Sequence, residues 1–297
     1  PSAQIDLCVA PRAQDIARAI PGVSQVHVFD KRGADRGLSG LRRVAARLAT
    51  RQYPLAVLPH RSLRTSLLAW LAAIPERVGF AGAPGSLLYT ARVRTAHDAF
   101  LLQEADLARA LGAEPAPMQL EPRREWLEAA AAALGDAPAK LAAVCLGSEW
   151  ATKIWPSAHV AELVRVLADS GFRPVLVGGP RERAVAKEIA AGGGCIDTTG
   201  NPVGEALAIL SRSSIAIGGD TGLVHAARAL GVPTVALFGP TAPGMHLFGP
   251  RERAVTLDLP CSPCSAHGSR RCPLGHHRCL RDLEVDQVAA ACEEVLA

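Results

Sequence analysis

The sequence predicts an α/β protein of two domains, each a doubly wound parallel sheet with helices on its faces. Short apolar runs alternate with longer stretches of helical periodicity along the whole chain, as expected for repeated strand–helix units. Glycine-rich turns follow several of the predicted strands. The length of 297 residues is enough for two domains of about 100 to 200 residues each.

Four strands and three main helices are predicted in the first half. The strands are residues 5–9, 25–29, 55–58 and 77–80, and the helices are residues 39–50, 62–73 and 96–111. The helix at 39–50 places Leu41, Val44 and Leu48 on one face and arginines on the other, which is the amphipathic pattern of a helix packed on a sheet. Residues 112–139, rich in proline with an alanine-rich helical piece, are interpreted as an interdomain connection.

The second half repeats the pattern more regularly. Its predicted strands are residues 142–146, 174–177, 215–217 and 234–238, and its helices are residues 157–169, 182–191, 204–211 and 221–230. The predicted domains are residues 1–135 and 136–297, and the second includes a cysteine-rich segment at 261–279. In such folds ligands bind outside the carboxyl ends of the strands, so we expect a site at the cleft between the two domains.

Composition excludes several functional classes. No apolar run reaches the about 18 to 20 residues that a membrane-spanning helix needs. The net charge of +4 is too small to indicate a nucleic-acid-binding protein. Eight cysteines, without a secretory leader pattern at the start, favour a cytoplasmic protein with reduced thiols.

The strongest local signal is the run from Gly218 to Thr241. A strand ends at Gly218 and Gly219, and Asp220 is a good N-cap residue for a helix starting at Thr221. Gly219 and Gly222 would let a ligand approach the backbone, where free N–H groups at the helix start attract an anion such as pyrophosphate. His225 lies one turn further on the same face. The alternative is a capped helix with a hydrogen-bonded histidine in a domain core.

A second loop, LGSEWATKIWP at 146–156, follows the first strand of the second domain. Lys153 would reach the same pyrophosphate, assisted by the hydroxyls of Ser148 and Thr152. We expect Trp155 to be a packing anchor and Ser157 to cap the next helix. Taken alone, Lys153 could equally be a solvated surface charge.

Two smaller features accompany these loops. Glu182 follows Gly178 and Gly179 at another strand end and could bind ribose hydroxyls, although a first-turn glutamate is also favoured by the helix dipole alone. In the first domain, Arg61 and Arg64 are three residues apart at a strand end and helix start. They are predicted to share one face and bind an anionic acceptor, unless they are merely solvated.

The cysteine-rich segment supplies potential metal ligands. Cys261, Cys264, Cys272 and Cys279 have the spacing C-x2-C-x7-C-x6-C, with histidines between them. Four thiols suffice for structural zinc or an iron–sulfur cluster, but the spacing matches no standard zinc ribbon. The alternative is a metal-free loop of reduced thiols.

Four sequence blocks together resemble glycosyltransferase family 9, the bacterial ADP-heptose:lipopolysaccharide heptosyltransferases, and in particular the heptosyltransferase II type. The blocks are PHRSLRTSLLAWLAAIPERVGF, LGSEWATKIWP, DTGLVHAARALGVPTVALFGPT and PCSPC…CPLGHHRCL, in the order of the family. The resemblance implies a GT-B fold of two Rossmann-like domains facing a cleft, with an acceptor-binding amino half and a nucleotide-sugar-binding carboxyl half. It also implies inverting transfer of heptose from ADP-heptose to the lipopolysaccharide inner core, with no required cofactor or metal ion.

The resemblance also implies site residues and partners. The donor site of the family falls on Ser148, Thr152, Lys153, Glu182, Asp220, Thr221, Gly222 and His225. The acceptor would be the anionic lipopolysaccharide core at the cytoplasmic face of the inner membrane. The more basic first half of the chain could lie against anionic headgroups there.

The general base of the family is an acidic residue on a Gly-Asp loop after an opening strand. This sequence resembles the family only from a point beyond that loop, so we expect the first domain to lack the first strand and helix of the fold. No residue is assigned as the catalytic base. Two other functions remain open at this point: a glycosyltransferase of the same fold with another sugar nucleotide, and a nucleotide- or metal-binding module without turnover.

Overall fold

The computed structural model describes residues 3–135 and 140–297. The chain forms two compact units, and the division is not a single cut. The first unit comprises the described part of Pro1–Ala17 together with Val23–Pro117 and Gly244–Leu247. The second comprises Arg18–Gly22, Phe248–Ala297 and the described part of Met118–Pro243.

The first unit contains two separate parallel sheets. Strands β1 (Ile5–Val9) and β2 (Val23–Val28) pair with each other, and β3 (Leu55–Leu58), β4 (Glu76–Phe80) and β5 (Ala91–Val93) form the other sheet in that order. The prediction of one continuous sheet in this half was therefore wrong in detail, because β1 and β3 are not paired with each other. The short strand β5 was missed.

The helices of the first unit cover its core. They are α1 (Gln14–Arg18), α2 (Gly37–Ala49), α3 (Leu63–Leu71) and α4 (Phe100–Ala110). Leu41, Val44 and Leu48 of α2 are buried against Leu58 of β3 and Leu68 of α3, so the predicted apolar face does face the core. Helix α4 begins four residues later than predicted.

The second unit is built on one six-stranded parallel sheet. Its strands are β6 (Leu141–Cys145), β7 (Arg173–Val177), β8 (Ile196–Asp197), β9 (Ile215–Gly219), β10 (Thr234–Phe238) and β11 (Glu252–Thr256). Their order across the sheet is β11-β10-β9-β6-β7-β8, and every pair is parallel. The central strands β6, β9 and β10 are buried throughout, as expected when helices cover both faces of a sheet.

Seven helices accompany this sheet in the described residues. They are α5 (Arg124–Leu134), α6 (Ser157–Asp169), α7 (Arg183–Ala191), α8 (Val203–Ser211), α9 (Gly222–Ala229), α10 (Arg278–Arg281) and α11 (Val285–Leu296). Helix α11 begins with a capping box of Glu284 and Gln287, and its buried residues join the main core. Pro156, and not Ser157, occupies the N-cap of α6.

Helix α5 lies in the segment that the sequence analysis treats as a connection. It packs on α8, where the indole of Trp126 covers Gly204 so closely that a Cβ there would be 2.3 Å from the ring. For this reason α5 belongs to the second unit, and the structural division near Pro117 differs from the predicted boundary after residue 135.

Among the described residues, no helix is both long and apolar enough to cross a membrane.

Candidate functional site

The candidate site lies where the strand order of the second unit reverses direction. Strand β6 is followed in the chain by β7 on one side, whereas β9 lies on its other side. The loops that leave the carboxyl ends of β6 and β9 therefore meet, and this is the position where parallel α/β sheets bind ligands. Lys153 is on the first loop and Asp220 is on the second.

Gly219 allows the two loops to touch. A Cβ at this position would lie 2.5 Å from the carbonyl oxygen of Lys153, a distance that no larger side chain tolerates. The sequence predicts that this glycine lets a ligand approach the backbone. The structure shows instead that the backbone of the neighbouring loop lies against it, whereas a Cβ at Gly222 would meet nothing within 4 Å.

Asp220 is the centre of a buried hydrogen-bond network. Its Oδ2 accepts from Lys153 Nζ at 2.6 Å and from the Thr241 hydroxyl at 2.7 Å. Its Oδ1 is 2.8 Å from Nε2 of His225, and its carbonyl oxygen accepts a second bond from Lys153 Nζ at 3.2 Å. The carboxylate is only 7% exposed and the Lys153 side chain only 12%. Lys153 is thus held in place and is not the mobile charge predicted from the sequence.

These contacts set the charge state of Asp220. Burial by itself would raise the pKa of its carboxyl group, but hydrogen bonds from His225, Lys153 and Thr241 and the charge of Lys153 outweigh it. The pKa of Asp220 therefore lies well below its ordinary value, because the charged form is the one that these donors stabilise. Asp220 is a carboxylate at neutral pH.

The network continues from His225 through a residue that the sequence analysis missed. Arg228, one turn further along α9, places Nη1 3.1 Å from Nδ1 of His225. Its guanidinium also pairs with Glu252 at 2.9 Å and stacks on the Phe248 ring at 4.5 Å. The i, i+3 spacing of His225 and Arg228 on a helix was the available signal.

The start of α9 differs from the prediction by one residue. Thr221, and not Asp220, occupies the N-cap position, and the helix begins at Gly222. The Asp220 side chain is engaged with Lys153, His225 and Thr241 and does not cap the helix. Backbone N–H groups in the first turn of a helix have no intrahelical partner, so the start of α9 can receive an anion.

A cavity of about 450 Å³ opens beside this network. Polar groups at its lining include Lys153, Arg181, Glu182 and His277, and its apolar lining includes the following core side chains: Val160, Leu163, Val185 and Ile189. Gly147, Gly218 and Gly219 form the strand-end wall. A pocket with an apolar interior and a few charged groups at one end is typical of a small-ligand site.

Glu182 lies at the cavity, in the turn just before α7. Its side chain covers Gly147, where a Cβ would be 2.3 Å from Oε1 of Glu182. Gly147 also has a φ of 72°, which glycine adopts without strain. The turns after β6 and β7 are thereby packed together, with the Glu182 carboxylate beside the space that a ligand would fill.

Ser148 and Thr152 have partners within the protein. Ser148 Oγ accepts from the backbone N–H of Trp150 at 3.2 Å. The buried Thr152 hydroxyl donates to the Ser269 carbonyl at 2.9 Å and accepts from the Ser269 N–H at 2.8 Å. Thr152 therefore fastens the loop after β6 to the cysteine-rich segment, a contact across 117 residues that the sequence does not reveal. The predicted phosphate contact of either hydroxyl stays a prediction.

Trp155 is the packing anchor that the sequence analysis expected. It is 6% exposed, and its indole N–H donates to the Leu283 carbonyl at 3.0 Å.

Arg61 and Arg64 are exposed in the first unit and have different partners. Arg61 precedes the N-cap Ser62 of α3, stacks on the Phe80 ring at 4.3 Å and donates to Gln103 at 2.9 Å. Arg64, in the first turn of α3, reaches the Lys31 carbonyl at 3.4 Å. Arg61 lies outside the helix, so the helical spacing from which a shared face was predicted does not apply to this pair.

The family follows from comparison with known proteins. The model of glycosyltransferase family 9 (heptosyltransferase) matches residues 41–274, which is well over half of the chain. The chain belongs to glycosyltransferase family 9. The family resemblance identified from the sequence blocks is thereby confirmed.

Curated relatives cover the chain to different extents. Lipopolysaccharide heptosyltransferase 1 of Pseudomonas aeruginosa is 35% identical over 155 residues, which are 48% of this chain and 41% of the relative. Lipooligosaccharide heptosyltransferase 2 of Haemophilus influenzae is 28% identical over 218 residues, 65% of this chain and 62% of the relative. The matched stretches thus span less than two thirds of the length of either relative.

Solved structures of the family share the fold. The glycosyl transferase family 9 protein of Veillonella parvula has a TM-score of 0.87 at 23% identity, covering 100% of this chain and 89% of that protein. The E. coli ADP-heptose lipopolysaccharide heptosyltransferase II has a TM-score of 0.77 at 22% identity, with coverages of 100% and 90%. These likenesses confirm the predicted GT-B-like α/β fold class.

Proposed function

We propose that this protein transfers heptose from ADP-heptose to the inner core of lipopolysaccharide, with inversion at the anomeric carbon. Membership of family 9 supports the reaction class. The observation that carries the assignment of the donor site is the Asp220 network with Lys153 and His225, placed at the switch point of the second sheet and beside the cavity.

The network suits a reaction in which a nucleoside diphosphate leaves. Negative charge grows on the pyrophosphate as the bond to the sugar breaks, so oriented donors near it lower the barrier. The Lys153 ammonium has three N–H donors, of which Asp220 accepts two. We assign the third N–H and the N–H groups at the start of α9 to the phosphate oxygens. His225 directs Nε2 at Asp220 and Nδ1 at Arg228, so we assign it to orienting the Asp220 carboxylate beside the phosphates.

Asp220 has a positioning role in this proposal. A carboxylate repels phosphate, so its contribution is to hold Lys153 and His225 in place with its two oxygens. The donors that face the diphosphate are thereby fixed before the sugar nucleotide binds. This preorganisation is the condition for effective electrostatic stabilisation. This arrangement supports transfer without a metal ion at the pyrophosphate and without another cofactor.

The rest of the cavity suits the nucleoside. Its apolar side chains, such as Val160 and Leu163, can receive a flat base, and the Glu182 carboxylate can accept from ribose hydroxyls. The acceptor would bind through Arg61 and Arg64 of the first unit, since an anionic sugar phosphate matches exposed guanidinium groups. We place the reaction in the cytoplasm, at the inner face of the inner membrane, with the basic first half of the chain contacting anionic headgroups.

Calorimetry and a transfer assay test the proposal together. We expect binding of ADP and ADP-heptose, and formation of a heptosylated product from a deacylated lipopolysaccharide core acceptor. Tighter binding and faster transfer with UDP- or GDP-sugars would overturn the donor assignment and favour another sugar-nucleotide transferase. ADP binding without transfer from any of these donors would favour a nucleotide-binding module without turnover.

A further inference from the structure

Arg228 is a buried arginine next to the Asp220 network. Its side chain is 2% exposed, and its Nε and Nη2 both pair with Oε2 of Glu252, at 3.0 and 2.9 Å. The central carbon of the guanidinium lies 4.5 Å from the centre of the Phe248 ring. A carboxylate and an aromatic ring thus fix the plane of the guanidinium, and its Nη1 lies 3.1 Å from Nδ1 of His225.

The contact with Arg228 determines where the ring proton of His225 lies. A guanidinium has only N–H donors and is not deprotonated in proteins. Nδ1 of His225 is therefore the acceptor in this pair, which requires a lone pair and no proton on Nδ1. A histidine with an unprotonated Nδ1 is neutral and carries its single ring proton on Nε2.

The other nitrogen of the ring agrees with this assignment independently. Nε2 of His225 lies 2.8 Å from Oδ1 of Asp220. An ionised carboxylate only accepts hydrogen bonds, so Nε2 has to supply the proton. The opposite tautomer would place the lone pairs of Nε2 and Oδ1 against each other, and a proton on Nδ1 against the guanidinium of Arg228.

We propose that Arg228 is a positioning residue that keeps His225 neutral, with its single ring proton on Nε2. Asp220 alone would favour a doubly protonated ring, because a nearby carboxylate stabilises the imidazolium cation. Arg228 opposes this effect, because it is a like charge and because it donates to the lone pair that a second proton would need. Glu252 and Phe248 hold the guanidinium where it can do so.

A neutral His225 leaves the charge of Asp220 to Lys153. Oδ2 of Asp220 accepts from the Lys153 ammonium and from the Thr241 hydroxyl, while Oδ1 accepts from an uncharged ring. The carboxylate then does not divide its charge between an ammonium and an imidazolium, so it holds the ammonium more strongly. The benefit to a bound phosphate rests on the proposed donor site, whereas the protonation of His225 does not.

The same assignment excludes His225 as an acid toward the leaving group. Its ring proton is donated to Asp220, and its other nitrogen accepts from Arg228. The diphosphate therefore leaves without receiving a proton from this residue. Its growing charge is stabilised by the Lys153 ammonium and the start of α9 alone among the groups assigned to it.

Nitrogen NMR of the whole chain tests the proposal without nucleotide. The protein is labelled with nitrogen-15 at its histidines, and the variant His225→Gln, which retains an N–H donor toward Asp220, assigns the His225 signals. Correlation of each ring nitrogen with the ring carbon-bound protons distinguishes a protonated nitrogen from an unprotonated one. Near neutral pH we expect an unprotonated Nδ1 and a protonated Nε2 in the wild-type chain. A proton on Nδ1 of the wild-type protein would overturn the proposal.

Two variants separate the effect of Arg228 on His225 from its role in packing. Arg228→Met keeps an apolar side chain on Phe248 but removes the donor, so we expect the Nδ1 signal to shift to that of a protonated nitrogen. Glu252→Gln removes the charge that pairs with Arg228 but keeps an oxygen acceptor for it. This control should lower the thermal stability and leave Nδ1 unprotonated, which a purely structural role of Arg228 would not predict for the pair of variants.

The two variants also define the results that would contradict the proposal. Wild-type ring signals in a folded Arg228→Met variant would show that Arg228 does not control the proton, and a protonated Nδ1 in Glu252→Gln would show that its contact is not sufficient. If Arg228→Met does not fold, the wild-type chain and Glu252→Gln still decide. An unprotonated Nδ1 in a wild-type chain that does not bind ADP would overturn the proposed donor site and support the assignment of His225.

Discussion

The ammonium nitrogen of Lys153 lies 2.6 Å from Oδ2 of Asp220, across 67 residues of sequence. Each residue follows a neighbouring strand of one parallel sheet, and Gly219 lets the two loops touch. The ion pair therefore forms because the two strands are neighbours in the sheet.

Replacing Lys153 should weaken nucleotide binding and also lower the free energy of unfolding, because the buried Asp220 carboxylate loses its charged partner. We expect Lys153→Ala to reduce ADP affinity about 10-fold or more, because one hydrogen bond to a charged group contributes about 1.5 to 3 kcal/mol. Isothermal calorimetry measures the affinity, and circular dichroism checks the fold. Lys187→Ala removes an exposed lysine from α7 and should leave the affinity unchanged. Equal affinities for the Lys153 variant and wild type would exclude Lys153 from the phosphate site.

Asp220 should stabilise the protein at neutral pH and lose this effect in acid. Its pKa is lowered in the folded state, so its contribution is complete above the unfolded value of about 3.9 and disappears as pH falls toward the folded value. Asp220→Asn should lower the free energy of unfolding at pH 7 by about 3 kcal/mol, as expected for breaking a buried pair.

Urea denaturation at several pH values measures this dependence. The difference in free energy of unfolding between Asp220→Asn and wild type should be constant around neutral pH and shrink below about pH 4. Asp258→Asn, at an exposed position, provides the control and should show no such difference. If the difference in free energy of unfolding stayed the same at acidic pH, the assignment of Asp220 as a carboxylate would be contradicted.

Two neighbouring glycines should respond differently to the same substitution. Gly219→Ala places a methyl group 2.5 Å from the Lys153 carbonyl, so we expect a loss of about 1 to 3 kcal/mol in stability from overpacking. Gly222→Ala meets nothing within 4 Å and should fold normally, yet weaken ADP binding because the added methyl group occupies the path of the phosphate.

Thermal unfolding and ADP calorimetry of both variants separate these effects. Gly82→Ala, which also has open space but lies in the first unit, should change neither quantity. Normal ADP affinity in Gly222→Ala would show that the ligand does not approach the start of α9.

Charge reversal in the first unit should affect the acceptor alone. Arg64→Glu is expected to raise the KM for the lipopolysaccharide core acceptor about 10-fold and to leave ADP affinity unchanged, because a phosphate contact of this kind is worth at least about 1.4 kcal/mol. Arg94→Glu changes another exposed arginine of this unit by the same charge and should have little effect. Loss of ADP affinity in the Arg64 variant would contradict the assignment of the acceptor to the first unit and of the nucleotide to the second.

The sequence predicted the central strands of the second unit well because their signals are local, whereas the edge strands β8 and β11 and the helices α10 and α11 were missed. Buried strands such as β6, β9 and β10 are apolar throughout and are followed by glycines, so the carboxyl ends of the strands could be located and their loops brought together. That Lys153, Asp220 and His225 are close in space follows from this topology alone.

The errors concern residues whose partners are distant in sequence. The role of Thr152 depends on Ser269, and that of Arg228 depends on Glu252 and Phe248, none of which a local pattern reveals. Helix α5 was treated as part of a connection because its alanine-rich sequence does not show that Trp126 packs on Gly204. The separation of β1 from β3 likewise depends on long-range pairing.

The Lys153 side chain loses its rotational freedom when the protein folds, and not when a ligand binds. An exposed lysine gives up as much as about 2 kcal/mol of conformational entropy when a ligand immobilises it. Here the Asp220 carboxyl and carbonyl oxygens hold Nζ, so that loss belongs to folding. The affinity for a phosphate then depends mainly on how well the preorganised ammonium replaces water, and less on the cost of ordering a flexible chain.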